Sequence, residues 1–143
     1  MANDFKHVRG TQTIAPLLIG SGVVVSIGDH LKLSGGLVTP VSADTDNLVL
    51  VGYAMEAHRS TDKAGKISVA VRNAQEIARV QLDAASSWVV GDEFQLNGSQ
   101  KLKKSTTNAV AVAMNAGTSG TEVEVLYTLP NTTAGLRFVG DAS

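Results

Sequence analysis

The chain has 143 residues, no cysteine, and twelve Lys and Arg against thirteen Asp and Glu, a formal charge of −1. That length suits one ordinary domain or two very small ones. Near-neutral charge removes the electrostatic footprint of a general nucleic-acid binder, the missing thiols exclude disulfides, thiolate metal sites and a cysteine nucleophile, and no apolar run approaches the roughly 20 residues of a membrane span.

Residues 1–7 read as a polar arm ahead of any periodic pattern. The apolar stretch 14–27 resembles the hydrophobic part of an export signal, but Asp4 precedes it, Pro16, Gly20 and Gly22 interrupt it, and no small-residue cleavage pattern follows. It is read as mature structure. Period-two alternation predicts half-buried strands at His30-Leu31-Lys32-Leu33, Ile67-Ser68-Val69-Ala70-Val71 and Val123-Glu124-Val125, and more loosely at Ile77-Ala78-Arg79-Val80-Gln81-Leu82. Turn chemistry separates them at Ser34-Gly35-Gly36, residues 61–65, Asn97-Gly98-Ser99 and residues 116–120. Asn97-Gly98 predicts a primed hairpin turn with positive φ at both residues. One helical turn is predicted over residues 84–88, capped by Asp83. The tail, residues 131–143, sets Leu136 and Phe138 on one side of an extended chain.

These elements repeat. Val8-Arg9-Gly10-Thr11-Gln12-Thr13-Ile14-Ala15 aligns with Val71-Arg72-Asn73-Ala74-Gln75-Glu76-Ile77-Ala78 at an offset of 63 residues. The same offset, without a gap, sets Ile27-Gly28-Asp29-His30-Leu31-Lys32-Leu33-Ser34-Gly35 on Val90-Gly91-Asp92-Glu93-Phe94-Gln95-Leu96-Asn97-Gly98. Beyond it the register slips: Asn47-Leu48-Val49-Leu50-Val51 matches Asn108-Ala109-Val110-Ala111-Val112, and residues 66–71 match 122–127. The expected organisation is an arm (1–7), a first β unit (8–70), a second (71–130) and a tail (131–143). Gly28-Asp29 and Gly91-Asp92 are predicted structural turns, with Gly supplying the unusual backbone and Asp bonding the amides that follow. A unit of about 60 residues buries too little alone, so the two are expected to pack closely as a small all-β barrel or sandwich.

The residues of chemistry do not converge. His7, His30 and His58 lack the spacing of a metal site, and His30, aligned with Glu93, is read as an exposed strand position. No Ser lies in Gly-x-Ser-x-Gly and no phosphate loop is present. Asp29 and Asp92 sit in the same local context, whereas an acid and a base need unlike environments. The chain is therefore expected to be no enzyme and to need no cofactor or metal. Candidate partner contacts are Asn3, Asp4, Phe5, Lys6 and His7, an arm able to add a strand to a sheet edge. Lys101, Lys103 and Lys104 form a basic cluster suited to an acidic protein surface. Trp88, aligned with Val25, is read as core.

An Ala-, Val-, Thr- and Gly-rich all-β chain with Gly-Asp-x-apolar turns, strands such as Gly65-Lys66-Ile67-Ser68-Val69 and an N-terminal arm resembles the capsid decoration, or cement, proteins of tailed bacteriophages. The doubled unit departs from the simplest of them. The resemblance implies a structural virion protein on the capsid surface, made in the host cytoplasm, with the major capsid protein as partner and a homotrimer as its assembly. It implies no nucleic-acid or membrane partner. A tail-tube or baseplate component would share the composition but calls for a long inter-subunit loop and a helix. A carbohydrate- or receptor-binding module would gather aromatic and carboxylate residues on loops, and the six aromatics here are scattered.

Overall fold

Alternation of apolar and polar residues makes strands, and the computed structural model, which describes residues 6–43, 46 and 49–128, has eleven of them among those residues. They are β1 (Lys6–Gly10), β2 (Ile14–Ile19), β3 (His30–Ser34), β4 (Leu37–Pro40), β5 (Leu50–Ala54), β6 (Gly65–Val71), β7 (Glu76–Trp88), β8 (Glu93–Leu96), β9 (Leu102–Lys104), β10 (Ala111–Ala113) and β11 (Gly117–Tyr127). The fold class is all-β, as expected.

Strands β2, β4, β3, β5 and β6 close into a barrel, completed by the parallel contact of Ile19 with Val38. A second ring forms from β7, β11, β10, β8 and β9, completed by the parallel contact of Leu82 with Leu102. β1 lies outside that ring, antiparallel on β7. Each ring has its own apolar cluster. Ile19, Val25, Leu31, Val38, Val51, Ala54, Ile67 and Val69 fill the first. Val80, Leu82, Trp88, Phe94, Leu96, Leu102, Val123 and Val125 are central to the second, whose cluster also takes in Val41 and Leu50 from the first unit.

The two rings repeat the same strand pairings, apart from register shifts in β11. β2 pairs with β6 as Ile14↔Ala70, Ala15↔Val69 and Leu18↔Lys66. β7 pairs with β11 as Ile77↔Leu126, Ala78↔Val125 and Gln81↔Glu122. The Gly28 amide donates to Ala54 O at 2.8 Å and the Ala54 amide to Asp29 O at 2.9 Å; Gly91, Ala113 and Asp92 repeat both bonds at 2.9 and 2.8 Å. Ala54 and Ala113 thus occupy the same place, so β5 and β10 correspond at an offset of 59. The sequence match of residues 47–51 to 108–112 is out of step by two, because the loop ahead of β5 is the longer one and interchangeable Val and Ala residues cannot mark its length.

Three local expectations are corrected. No helical turn forms at residues 84–88, because β7 continues through them as Ser86 and Trp88 pair with Gly120 and Gly117. The Asn97-Gly98 turn is not primed: positive φ falls instead on Gln100, at 70°. Asn97 Oδ1 accepts the amides of Ser99 and Lys101 at 2.8 and 3.2 Å, which builds a wider loop. Gly98 is there for close packing, since a Cβ would lie 2.8 Å from Ser42 O. The Gly-Asp turns use positive φ at Gly28 (90°) and Gly91 (98°), but each Asp side chain bonds backward. Asp29 Oδ2 accepts the Ser26 amide at 2.9 Å and Asp92 Oδ2 the Val89 amide at 3.0 Å.

Candidate interaction surface

Where the rings meet, the repeat breaks down into a polar seam. Glu76, at the start of β7 and 2% exposed, offers Oε2 to three donors: Tyr53 OH at 2.5 Å, His7 Nδ1 at 2.9 Å and Gln12 Nε2 at 3.3 Å. The three come from β5, from β1 and from the link between β1 and β2, so one carboxyl group ties the N-terminal strand to both rings. Tyr53 titrates well above the ordinary phenol, first because it is buried and then because Glu76 faces it. Arg72, also buried, donates Nε to Thr128 O, and desolvation lowers it to about 10.

His30 is the clearest correction to the sequence reading. Its counterpart Glu93 is exposed, but His30 is 1% exposed because its strand faces the other ring rather than solvent. Its Nε2 shares a hydrogen bond of 2.7 Å with Tyr127 OH. Burial pushes the imidazole down to about 4, opposed by the Gln100 side chain. Gln100 spans the seam from the second unit: its Nε2 donates to Val41 O at 2.7 Å and His30 O at 3.1 Å, and its Oε1 accepts the His30 amide at 2.5 Å.

From the sequence, residues 1–7 read as an arm outside the folded body, offered to a partner's sheet edge. That fails for Lys6 and His7, which open β1 and pair with Arg79 and Ala78. Gly10 lets the strand dock, with φ 89° and room for no Cβ, which would stand 2.0 Å from Gln75 O. Asn3, Asp4 and Phe5 lie outside the described residues, as does the tail with Leu136 and Phe138.

Lys103 and Lys104 lie on β9 and Lys101 just before it, and strand alternation sends Lys103 and Lys104 to opposite faces. Lys104 is already engaged: its Nζ lies 3.1 Å from Asp92 Oδ2. The Val89 amide, and then Lys104, hold the Asp92 carboxyl below the usual carboxylate range. The Gly-Asp turns present a second feature, unmarked in the sequence reading. In both rings the residue before the glycine is apolar and exposed, Ile27 at 54% and Val90 at 60%, with Val24 and Val89 exposed beside them. Solitary exposed apolar residues need no explanation; the same exposure at the same turn twice marks a surface available for contact. Beside Ile27 a cleft of roughly 180 Å³ is lined by His7, Gln12, Gly28, Tyr53 and Met55. The structure thus brings two of the singled-out residues, His7 and Gly28, to one place.

The seam residues were missed because only partner chemistry reveals them. One signal existed: in the repeat alignment the charged Glu76 stands against Thr13, whereas Tyr53 against Val112 and Arg72 against Thr128 become equivalent only in the folded rings.

No protein-family model matches the sequence, and no curated protein matches it either. Among solved structures the chain is similar to the N base of head fiber gp8.5 of bacteriophage phi29, with a TM-score of 0.53 and 14% sequence identity. The match covers 81% of this chain and 95% of that one. At that identity the likeness is one of fold, and the fold it shows is this all-β pair of repeated units.

Proposed function

We propose that this chain is a structural protein of a tailed-phage virion that binds the outer surface of the capsid and stabilises it. The observation that carries the reading is the fold likeness to a phage head fiber base, which extends over nearly the whole of that chain. The chemistry agrees with it: the described polar clusters are spent on joining two rings, and the exposed repeated features suit contact rather than turnover. In this reading the protein uses no cofactor, is not an enzyme and assembles as a cyclic homotrimer, with the major capsid protein as its partner. The N-terminal residues 1–5 and the lysines at 101, 103 and 104 are its points of attachment.

Two measurements test it. The mass of the purified protein in solution should be three times the chain mass of 14.8 kDa. Mixed with undecorated heads built from the phage's own major capsid protein, it should pellet with them. A variant lacking residues 1–5 should keep its unfolding temperature and pellet less, since β1 begins at Lys6. Full-length protein left in the supernatant at every concentration would overturn the capsid reading.

A further inference from the structure

The connection between β5 and β6 carries His58, 6% exposed. Its main chain forms an isolated bridge with Val25: the Val25 amide donates to His58 O at 2.8 Å and the His58 amide to Val25 O at 2.9 Å. The ring points between two main-chain carbonyls. Nδ1 lies 2.6 Å from Val23 O and Nε2 lies 3.0 Å from Lys63 O. A carbonyl oxygen only accepts, so both nitrogens must carry hydrogen, and a neutral imidazole has just one N–H. The geometry is complete only for the imidazolium.

The surroundings agree. Charged groups on the same connection are Glu56, Arg59, Asp62 and Lys63, with Lys66 exposed at the start of β6, and the facing segment, residues 20–25, carries none. The Val23 and Lys63 carbonyls raise the imidazole above its ordinary range, with smaller help from Asp62 and Glu56 and against desolvation. In the second ring the equivalent bridge joins Trp88 to Gly117, so nothing there can titrate.

We infer that His58 is a protonation-controlled clamp on the rim of the first ring: charged, it ties residues 23–25 to the turn at Lys63, and on losing its proton it must release one of the two carbonyls. A lone pair then faces an oxygen, and the rim that presents Val24 and Ile27 loosens. The device is independent of the capsid reading, because it concerns only this chain's own main chain.

Nitrogen-15 NMR of the full-length protein tests it directly. Both His58 ring nitrogens should report as protonated at neutral pH, with a midpoint above the ordinary value of about 6.5. After correction for intrinsic exchange, protection of the Val25 and His58 amides should fall about tenfold from about pH 6 to about pH 9, while the Trp88 amide holds. His58→Gln should remove that pH dependence. A midpoint at or below about 6.5, or equal pH dependence in the two rings, would overturn the clamp; if the variant does not fold, the wild-type titration decides alone.

Discussion

The two rings share strand order and hydrogen-bond register yet solve the same three problems with different residues. At the rim bridge the first ring sets Val25 against His58, and the second sets Trp88 against Gly117. The Trp88 ring fills space that only glycine leaves, since a Cβ on Gly117 or Gly120 would lie 2.5 or 2.6 Å from it. On the edge of β2 away from β6, Thr13 O accepts the Val71 amide, so Ala15 faces β6 and the backbone of Ile14 and Pro16 turns away from it, where no strand among the described residues pairs with them. Pro16 has no amide hydrogen to offer, which blunts the edge. Its counterpart in the second ring, Arg79, pairs with Lys6 of β1. The third difference lies in the strand facing the seam, where Gly52 occupies the place of Ala111. A duplicated fold therefore fixes the register while leaving volume, edge protection and the shared face free to diverge.

The sharpest way to break this comparison is Gly52→Ala. The second ring carries alanine at the equivalent position, but in the first a Cβ would lie 2.1 Å from Ala70 O, at φ 157°. The substitution should cost about 4 kcal/mol or prevent folding; a urea midpoint within error of wild type would show that the rings are more alike than their packing implies. Acid should act next. His30 titrates near 4 in the fold and near 6.5 unfolded, so the unfolded chain binds the proton first as pH falls. Stability is full above about 6.5 and declines toward about 4, by on the order of 3 kcal/mol. His30→Gln should lose that acid limb, and denaturant curves across the window would expose the idea as wrong if wild type and variant fell in parallel.

A smaller effect is expected at the rim. Gly117→Ala should destabilise by about 2 kcal/mol through overpacking, and Trp88→Val in the same chain, which restores the residue of the first ring, should recover part of it. Additive costs in a double-mutant cycle would refute the volume exchange. Smallest of all, Pro16→Ala should change stability by less than about 0.5 kcal/mol while increasing self-association, measured by light scattering. Unchanged association would mean that Pro16 does not guard the edge.

How much of this was legible follows from what each feature depends on. The register of β2, β3, β6 and their repeats could be read because Gly-Asp turns and period-two runs are local and poorly interchangeable. The β5 match slipped because Val and Ala carry little positional information. Residues 84–88 looked helical because local propensity cannot know that Gly117 and Gly120 wait across the sheet to pair with them. His30 looked exposed for a similar reason: its environment is set by the other ring, not by its own strand. The lysines at 101, 103 and 104 are adjacent in sequence, but the tie of Lys104 to Asp92 crosses from β9 to a turn and is visible only in three dimensions. The candidate surface was thus half legible, the turns by sequence and the exposed apolar pair and the cleft only by structure.

The central claim is that this two-ring body sits on the outside of a phage head. Cryo-electron microscopy of undecorated heads incubated with saturating protein tests it most directly. The account predicts added density on the outer surface, at threefold or quasi-threefold positions, into which the paired rings fit with the arm toward the lattice. A bare outer surface under those conditions, or density confined to the tail, would contradict it.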